Sequence, residues 1–315
     1  MEKTAKGRAA MRNNPSPFWK YSGRAKKRCL VTGHKGYIGS HLARALNNLG
    51  HDVLGIDLKD GHDINSDLNG GTTGTAFHPL YFNFKPEVIF HLACIPRVPY
   101  SIEEPVKTMK NNVLATSNVL NFARKVGAER VIYSSSSSVV GDGNGPNSPY
   151  GLQKLTSEME CKLYSELYGL DTVSLRYFNV YSSDQKVDGP YTTAIANFME
   201  CARKNKNPFI TGDGEQRRDM LHVQDAVLVN LFAMHCEKRF EGKHYDVGTG
   251  TNISLNEVKK IINSYYPDIK FEYAPERIGD VLYTKANCEP LKELGWKTNY
   301  SISYGIDECF RNIKM

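Results

Sequence analysis

The sequence predicts an α/β fold in which a doubly wound parallel sheet carries helices on both faces and is followed by a second, smaller α/β lobe. Two observations support this prediction. Strand-like and helix-like segments alternate between Cys29 and Tyr181, which is typical of parallel strands joined by helical crossovers. Beyond Ser182 the alternation loosens, as we expect for a smaller lobe that closes over a ligand.

The first element is a short apolar run that ends in Gly33, Gly36 and Gly39 and is followed by a helical pattern. Strand, tight turn and helix in this order are typical of a Rossmann-type fold, where glycine lets the backbone approach a pyrophosphate at the helix N-terminus. The next strand ends at Asp57. A carboxylate there accepts hydrogen bonds from an adenosine ribose and repels a 2′-phosphate. The pattern therefore favours NAD over NADP; the alternative is a glycine turn with a surface aspartate.

The later elements follow in regular alternation. They are a buried strand at 87–93, a helical pattern at about 105–127, a strand at 130–135, a helix that begins at Tyr150 and a strand at 171–181. Gly127 is the expected C-cap of the helix at about 105–127. The expected domains are a basic N-terminal arm at 1–27, an NAD-binding domain at 28–181 to which 222–250 returns, and a substrate-binding lobe at 182–221 and 251–315.

Tyr150 and Lys154 form the main candidate for catalysis. Residues four apart share one face of a helix, so the ammonium is held beside the phenol. The ordinary pKa of a tyrosine is about 10. A nearby positive charge favours the phenolate and so lowers this pKa. The pair therefore predicts a general base that works near neutral pH. Most Tyr-x-x-x-Lys patterns are ordinary helix surface, and it is the preceding glycine motif that favours the catalytic interpretation.

Composition excludes several classes of protein. Of the 315 residues, 40% are hydrophobic, as in ordinary globular proteins. No apolar stretch is long enough to span a membrane, and no secretory signal is visible, so we expect a cytoplasmic protein. Seven scattered cysteines lack metal-ligand spacing, so no metal is expected. The net charge of the chain is +6; residues 1–28 carry nine Lys/Arg and one Glu, or +8, so the remainder sums to −2. This arm is solvated or packs through Phe18, Trp19 and Tyr21, and no basic stripe predicts nucleic acid as a partner.

Taken together, these residues resemble the extended short-chain dehydrogenase/reductase family, and within it the NAD-dependent nucleotide-sugar epimerases. The resemblance covers the chain from Arg28 to about Trp296. It rests on an ordered series of motifs: Thr32-Gly33-x-x-Gly36-x-x-Gly39, Asp63-Ile64, His91-Leu92-Ala93, Asn112-Val113, Ser134-Ser135-Ser136, Pro149-Tyr150-x-x-x-Lys154, Leu175 to Tyr181, Gly212 to Asp219 and Arg277-Ile278-Gly279-Asp280.

The resemblance implies a role for each matched residue. Ser136 would bind the reacting sugar hydroxyl beside Tyr150, and Lys154 would hold the nicotinamide ribose and lower the pKa of Tyr150. NAD would be bound by Gly33, Gly36, Tyr37, Ile38, Gly39, Asp57, Asp63, Ile64, Leu92, Ala93, Asn112, Tyr150, Lys154 and Tyr177. The nucleotide diphosphate would be held by Asn179, Arg218, Arg277 and Asp280. His91 is expected to be a hydrogen-bonded interior histidine without a role in the chemistry.

The chain departs from the family pattern at the sugar side of the site. Val140 replaces the tyrosine of Val-Tyr-Gly, Ser182-Ser183 replaces a common Gly-Pro, and only eight residues separate Gly141 from Tyr150. Dehydratases and decarboxylases of this family carry carboxyl groups where this chain has Ser137 and Ser138. Their absence leaves reversible oxidation at one carbon, which implies 4-epimerisation of a UDP-sugar through a 4-keto intermediate and enzyme-bound NADH.

Other functions and the substrate stay open. The alternatives are a non-catalytic protein that binds NAD or a nucleotide sugar, and a net NAD(P)H-dependent reductase. By resemblance, Thr284 lines the pocket at the sugar C2 substituent, where a tyrosine excludes an N-acetyl group; a register slip would place Tyr283 there instead. We expect activity on both UDP-glucose/galactose and UDP-N-acetylglucosamine/galactosamine. We also expect a homodimer through the helices near 105–126 and 150–168.

Overall fold

Six parallel strands form the central sheet of the protein, whose computed structural model describes residues 17–69, 77–141, 143–187, 193–275, 281–311 and 313. The strands are β1 (Arg28–Thr32), β2 (Asp52–Ile56), β3 (Val88–His91), β4 (Arg130–Ser136), β5 (Asp171–Tyr177), β6 (Phe209–Thr211), β7 (Arg217–Arg218), β8 (His244–Val247), β9 (Ile253–Ser254) and β10 (Glu272–Ala274). The large sheet has the order β2-β1-β3-β4-β5-β8, and β10 with β6 and β7 with β9 form two small sheets. The predicted fold class is confirmed.

Helices cover both faces of the large sheet and build the second lobe. They are α1 (Tyr37–Asn48), α2 (Ile64–Asp67), α3 (Pro79–Phe84), α4 (Val98–Glu103), α5 (Pro105–Met109), α6 (Ala115–Val126), α7 (Pro149–Tyr168), α8 (Ala194–Arg203), α9 (Val223–His235), α10 (Leu255–Asn263), α11 (Glu289–Glu293) and α12 (Ile302–Arg311). Within the described ranges, none of the helices has both the length and the apolar character that crossing a lipid bilayer would require.

The strand order determines where a ligand can bind. The chain winds from β1 to β2 on one side and from β3 to β8 on the other, so the winding direction reverses between β1 and β3. Loops that leave the carboxyl ends of these strands separate at this point and open a crevice. The glycine turn follows β1, and the serine run closes β4, so both lie at this edge of the sheet.

Three large apolar cores hold together the elements that the structure describes. One lies between the sheet and helices α1 and α9, and another lies on the opposite face against α6 and α7. The third belongs to the second lobe and gathers residues between Tyr181 and Met220 with residues between Ile253 and Phe310. Strands that are buried on both faces read as continuous apolar runs, which is why β1, β3 and β4 were recognisable in the sequence.

The helical pattern predicted at 105–127 is interrupted. α5 leads into one π-helical turn at Lys110–Leu114, and α6 then runs to its C-cap Gly127, which has the predicted left-handed backbone with φ of 72°. A π-helical turn holds one extra residue, and here it turns Asn112 into the interior, where the side chain is almost fully buried. The helical pattern at 105–127 predicts one continuous helix and does not reveal this insertion.

The N-terminal segment packs partly as expected. Residues Pro17–Tyr21 form a 3₁₀ turn whose Phe18 and Tyr21 lie against the core beside α9, whereas Trp19 is exposed. The Tyr21 ring stacks on His235 with a centroid distance of 5.5 Å. The basic residues up to position 16 lie outside the described residues.

A chain of buried hydrogen bonds joins β1, β3 and α6 through His91. Thr32 Oγ1 accepts from the backbone amides of Leu92 and Ala93, so its own hydrogen is donated to His91 Nδ1 at 2.8 Å. His91 Nε2 then donates to Thr116 Oγ1 at 3.0 Å. The ring is neutral because burial lowers the pKa of His91 to about 3, with the Lys154 charge acting in the same direction. His91 is thus an interior histidine with both ring nitrogens bonded.

This network predicts a specific pH dependence of stability. The unfolded chain binds a proton on His91 below a pKa of about 6.5, while the folded protein does so only near pH 3. The free energy of unfolding therefore falls as the pH drops below 6.5, by about 2 kcal/mol between pH 7 and pH 5 for this one residue. In His91→Gln that component should vanish, as urea unfolding of both proteins at the two pH values would show. Parallel pH dependence in the two proteins would contradict the assignment.

Candidate functional site

The glycine turn between β1 and α1 is shaped for close backbone approach. Gly33 has a left-handed backbone, with φ of 69°, and a Cβ there would lie 2.9 Å from the backbone N and Cα of Ala93. A Cβ on Gly39 would overlap the carbonyl oxygen of Gly33. Gly36 occupies the N-cap of α1 and has no side chain with which to cap the first amides of the helix. The turn therefore presents the N-terminal amides of α1 to the crevice, as an anion site requires.

Asp57 lies directly after β2 and faces this turn. Its carboxylate oxygens accept from the backbone amides of Lys35 and Lys59, both at 3.0 Å. The two bonds fix the orientation of the carboxylate next to the glycine turn. Each oxygen keeps a second lone pair that can accept a hydroxyl hydrogen.

The other residues expected at the cofactor are divided between the crevice and the interior. Tyr37 begins α1, and its hydroxyl is 2.6 Å from Ser182 Oγ, while Ile38 packs against the core. Leu92 and Ala93 follow β3 and are held by Thr32, as described above. Asp63 caps α2 by accepting from Asn65 N at 2.9 Å, and its neighbour Ile64 is buried.

Asn112 makes its hydrogen bonds to protein groups in this structure. Its Oδ1 accepts from Ile95 N at 2.8 Å, and its Nδ2 donates to Gln153 Oε1 at 2.8 Å and to Ile95 O at 3.3 Å. Both polar atoms of the Asn112 side chain are thus hydrogen-bonded to protein groups. In this structure Asn112 fixes the segment after β3 to α7, and its expected direct contact with NAD stays a prediction.

Tyr150, Lys154 and Ser136 are brought together at the carboxyl end of β4. Ser148 caps α7 by accepting from Gly151 N, and the backbone amide of Tyr150 donates to Ser101 Oγ at 3.0 Å. Ser136 lies close enough to the Tyr150 hydroxyl to lower the pKa of that group. Lys154 lies one turn along the helix, with Nζ 5.9 Å from the centre of the Tyr150 ring. Its ammonium donates to the carbonyl oxygen of Ser134 at 2.6 Å.

The residues expected at the substrate are only partly covered by the structure. Asn179 follows β5, and its Nδ2 donates to the backbone oxygen of Asp219 at 2.7 Å and to Thr284 Oγ1 at 3.3 Å. Thr284 therefore faces Asn179, while the side chain of Tyr283 is exposed. Arg218 lies on β7, and Arg277 and Asp280 lie outside the described residues. Tyr177 ends β5 with its hydroxyl accepting from Asn230 Nδ2 at 2.7 Å.

Comparison with known proteins identifies the family. The profile described as "NAD dependent epimerase/dehydratase family" matches residues 29–248. The chain belongs to this family. A putative UDP-glucose 4-epimerase of Methanocaldococcus jannaschii is 33% identical over 88% of this chain and 95% of its own length. A UDP-N-acetyl-alpha-D-glucosaminuronate decarboxylase of Bacillus cytotoxicus is 31% identical over 86% of this chain and 95% of its own.

A solved structure is similar over nearly the same length. It is the UDP-N-acetylglucosamine 4-epimerase of Methanobrevibacter ruminantium M1 in complex with UDP-N-acetylmuramic acid, with a TM-score of 0.81 and 28% identity over 91% of this chain and 98% of that one. Together with the family match, these relatives identify the protein as an NAD-dependent enzyme that modifies nucleotide sugars.

The residues of the glycine turn, together with Asp57, fit the family's cofactor. The glycines leave room that any Cβ would fill, the first amides of α1 point to the crevice, and the Asp57 carboxylate is fixed beside them. The amides would hold the pyrophosphate and Asp57 the adenosine ribose, as NAD without a 2′-phosphate requires. Lys154 and Tyr150 lie beyond this point, at the end of β4, where the nicotinamide ribose would be held.

The acid–base properties of this family member correct one expectation. Burial raises the pKa of Tyr150 well above its ordinary value, and the Lys154 ammonium lowers it without offsetting the burial. The expected net fall of this pKa is therefore wrong for the chain, although Lys154 acts in the predicted direction. Burial opposes the charge on Lys154 as well, but Cys94 and Tyr150 beside it raise its pKa above the ordinary value. Lys154 thus stays protonated next to the phenol.

Several residues that support the site carried no recognisable signal in the sequence. Ser101 anchors the first turn of α7, Thr32 holds the segment after β3, and Cys94 lies near Lys154, whose pKa it raises. Glu158 and Arg176 form a buried ion pair next to the serine run. Single serines, threonines and charged residues are too common for a pattern to single them out. The spacing of four between Lys154 and Glu158 is the one clue that the sequence offered.

Proposed function

We propose that the protein catalyses reversible 4-epimerisation of a UDP-sugar, either UDP-glucose/UDP-galactose, UDP-N-acetylglucosamine/UDP-N-acetylgalactosamine, or both. The observation that carries the proposal is the placement of Ser136 and Lys154 beside Tyr150, with no carboxyl group at Ser137 or Ser138. This arrangement serves oxidation and reduction at one hydroxyl-bearing carbon. The relatives named as UDP-sugar 4-epimerases support it.

Each catalytic side chain has one task in this reaction. Ser136 orients the 4-hydroxyl of the sugar, and Tyr150 accepts the proton of that hydroxyl and later returns it. Lys154, fixed by Ser134 O at 2.6 Å, keeps a positive charge beside Tyr150, which favours the phenolate form when the hydroxyl gives up its proton. When bound, NAD supplies the acceptor for the hydride of the sugar carbon and gives the hydride back. The protein must retain the 4-keto sugar while its opposite face turns towards the cofactor.

Ser137 and Ser138 argue against elimination or decarboxylation. Water elimination needs a carboxyl group that can donate and accept a proton at neutral pH, which a serine hydroxyl does not do. Here Ser138 instead completes the turn after β4, because its amide donates to Ser136 Oγ at 3.2 Å. We therefore attribute the similarity to a decarboxylase to the shared scaffold, which supports more than one chemistry.

The second lobe, 182–221 with 251–315, would hold the nucleotide sugar. Arg218 and Arg277 offer planar donor forks that suit phosphate oxygens, and Asn179 and Asp280 would complete the set. Thr284 would face the C2 substituent, and its contact with Asn179 supports this placement.

A substrate panel tests the proposed function. The purified protein should convert at least one of the UDP-glucose and UDP-N-acetylglucosamine pairs to its 4-epimer without added cofactor and without net change in mass. GDP- and dTDP-sugars serve as comparison substrates. Loss of water or of carbon dioxide, net consumption of NAD(P)H, or no conversion of any nucleotide sugar would each reject the proposal.

We further propose that the enzyme is a homodimer that pairs through α7. Leu152, Met159, Leu163 and Leu167 form an apolar stripe on this helix, and each is at least half exposed. The alternative interpretation, that the stripe packs on the sheet, does not agree with this exposure. On α5, Val106 and Met109 add exposed apolar surface. Apolar area of this extent is typical of an interface.

The dimer gives a direct prediction for solution measurements. We expect twice the chain mass by light scattering at micromolar concentration, and the monomer mass for Leu163→Glu, because a charge would be buried in the interface. Leu80→Glu is the matched control, since Leu80 is equally apolar and also exposed but lies on α3. A wild-type monomer would contradict the proposal.

A further inference from the structure

A buried carboxylate lies behind the catalytic residues on the same helix. Glu158 is 5% exposed, and its Oε1 accepts from Ser135 Oγ at 2.5 Å and from Arg176 Nε at 2.8 Å. Its Oε2 accepts from Arg176 Nη2 at 2.6 Å. The pair is thus bidentate, and the geometry of a planar guanidinium fork fixes the carboxylate in both position and direction.

The three bonds tie α7 to two neighbouring strands at one point. Ser135 and Arg176 are partners in the register of β4 and β5. Ser135 lies between Ser134, whose carbonyl oxygen accepts a hydrogen bond from the Lys154 ammonium, and Ser136, which lies beside the Tyr150 hydroxyl. Glu158 is one helical turn after Lys154 and two after Tyr150, so all three share one face of α7. A shift of the helix against β4 would change both catalytic contacts together.

We propose that Glu158 is a positioning residue that, through Ser135 and Arg176, holds α7 in the register in which Lys154 and Tyr150 meet the end of β4. The proposal rests on the proposed function only for its activity measurement. It explains why a charged pair is placed here, since a buried ion pair contributes little net stability compared with apolar packing. Catalytic geometry, in contrast, is sensitive to displacements of an ångström.

An effect of the charge of Glu158 and an effect of its positioning role predict opposite changes in the pKa of Tyr150 when Glu158 is removed. The ionisable groups around Glu158 are Arg176 on β5, Asp246 and His244 on β8, Tyr133 on β4 and Cys161 on its own helix, where Lys154 precedes it by one turn. If Glu158 acted only through its negative charge, its removal would favour the phenolate and lower the pKa of Tyr150. If Glu158 acts through position, its removal lets Lys154 move away from the phenol, and the pKa of Tyr150 rises.

The chain contains a matched control for loss of a buried ion pair. Arg130 and Asp171 are register partners at the opposite end of β4 and β5, and Arg130 Nε donates to Asp171 Oδ2 at 2.7 Å. Asp171 is 2% exposed and, like Glu158, has further donors, the amides of Phe240 and Glu241. Its replacement damages the same sheet without touching the end that carries the site.

The experiment compares Glu158→Ala, Glu158→Gln, Ser135→Ala and Asp171→Ala as NAD-bound proteins. We expect Glu158→Ala to lower kcat by about tenfold to a hundredfold with KM changed less than about twofold. The acid limb of kcat/KM should move to higher pH. Glu158→Gln keeps an acceptor oxygen and should recover part of kcat, and Ser135→Ala, which retains the ion pair, should lose about threefold. Asp171→Ala should lower the melting temperature but leave kcat and the acid limb unchanged.

Two results would overturn the proposal: an acid limb that stays or moves to lower pH in Glu158→Ala, or equal loss of kcat in Glu158→Ala and Asp171→Ala. A second measurement does not depend on the reaction. Ultraviolet titration of tyrosinate in each variant, minus its Tyr150→Phe counterpart, reports the pKa of Tyr150 directly. If the wild type epimerises no UDP-sugar, the proposed function fails, while a raised Tyr150 pKa in Glu158→Ala still supports the positioning role and an unchanged or lowered one rejects it.

Discussion

Tyr150→Phe is expected to lower turnover of the UDP-sugar at least about a hundredfold, the lower end of what loss of a general acid–base group costs. The substitution removes one oxygen atom and leaves the ring in its buried place beside Lys154. The lost hydroxyl is the one beside Ser136, so the sugar hydroxyl has no proton acceptor in the variant. NAD binding should persist, because the glycine turn, Asp57 and Lys154 are unchanged.

The test measures kcat and the content of bound NAD in the same preparation. Tyr164→Phe is the control, because it removes a tyrosine hydroxyl from the same helix and should leave both quantities near the wild-type values. Near-normal turnover in Tyr150→Phe would remove Tyr150 from the mechanism. Loss of bound NAD together with activity would show that the substitution damages the cofactor site and not the proton transfer alone.

Local sequence patterns predicted most of the scaffold of this site. Apolar runs marked the strands of the large sheet, and the glycine spacing marked the turn after β1, because only glycine allows the close approach of Gly33 to Ala93 and of Gly39 to Gly33. The spacing of four placed Tyr150 and Lys154 on one helical face. These features depend on residues that are close in the chain, so local periodicity and steric rules are sufficient to recognise them.

Properties that depend on distant contacts were not predictable in the same way. The pKa of Tyr150 rises because of burial, which depends on how α7 packs on the rest of the domain. The side chain of Asn112 is directed inwards by a π-helical turn and is hydrogen-bonded to Ile95 N and Gln153 Oε1. Glu158 meets its partner Arg176 on another element. In each case, non-adjacent parts of the fold determine the environment of the group.

The second large effect is expected for the choice of sugar. Thr284 is a small residue, so the wild type should epimerise both UDP-galactose and UDP-N-acetylglucosamine. Its hydroxyl accepts from Asn179 Nδ2 at 3.3 Å and from Asp219 N at 3.2 Å, which directs the side chain towards the expected substrate residues. A pocket that merely has room discriminates weakly, since small apolar differences are worth only about 1–3 kcal/mol.

Thr284→Tyr should therefore reduce kcat/KM for the N-acetylated pair at least about tenfold more than for the glucose/galactose pair, a difference of about 1.4 kcal/mol in transition-state binding. The phenol ring would fill the space of the N-acetyl group, whereas a hydroxyl at C2 needs less room. Thr284→Ser keeps the hydroxyl and the space and should act on both pairs.

Tyr283→Thr tests the alternative register, in which Tyr283 and not Thr284 faces the sugar. Because the Tyr283 side chain is exposed, this variant should leave the ratio of kcat/KM for the two substrate pairs unchanged. Wild-type activity on UDP-galactose with none on UDP-N-acetylglucosamine would show that another residue closes the pocket, and a changed ratio in Tyr283→Thr would show that the register is shifted by one.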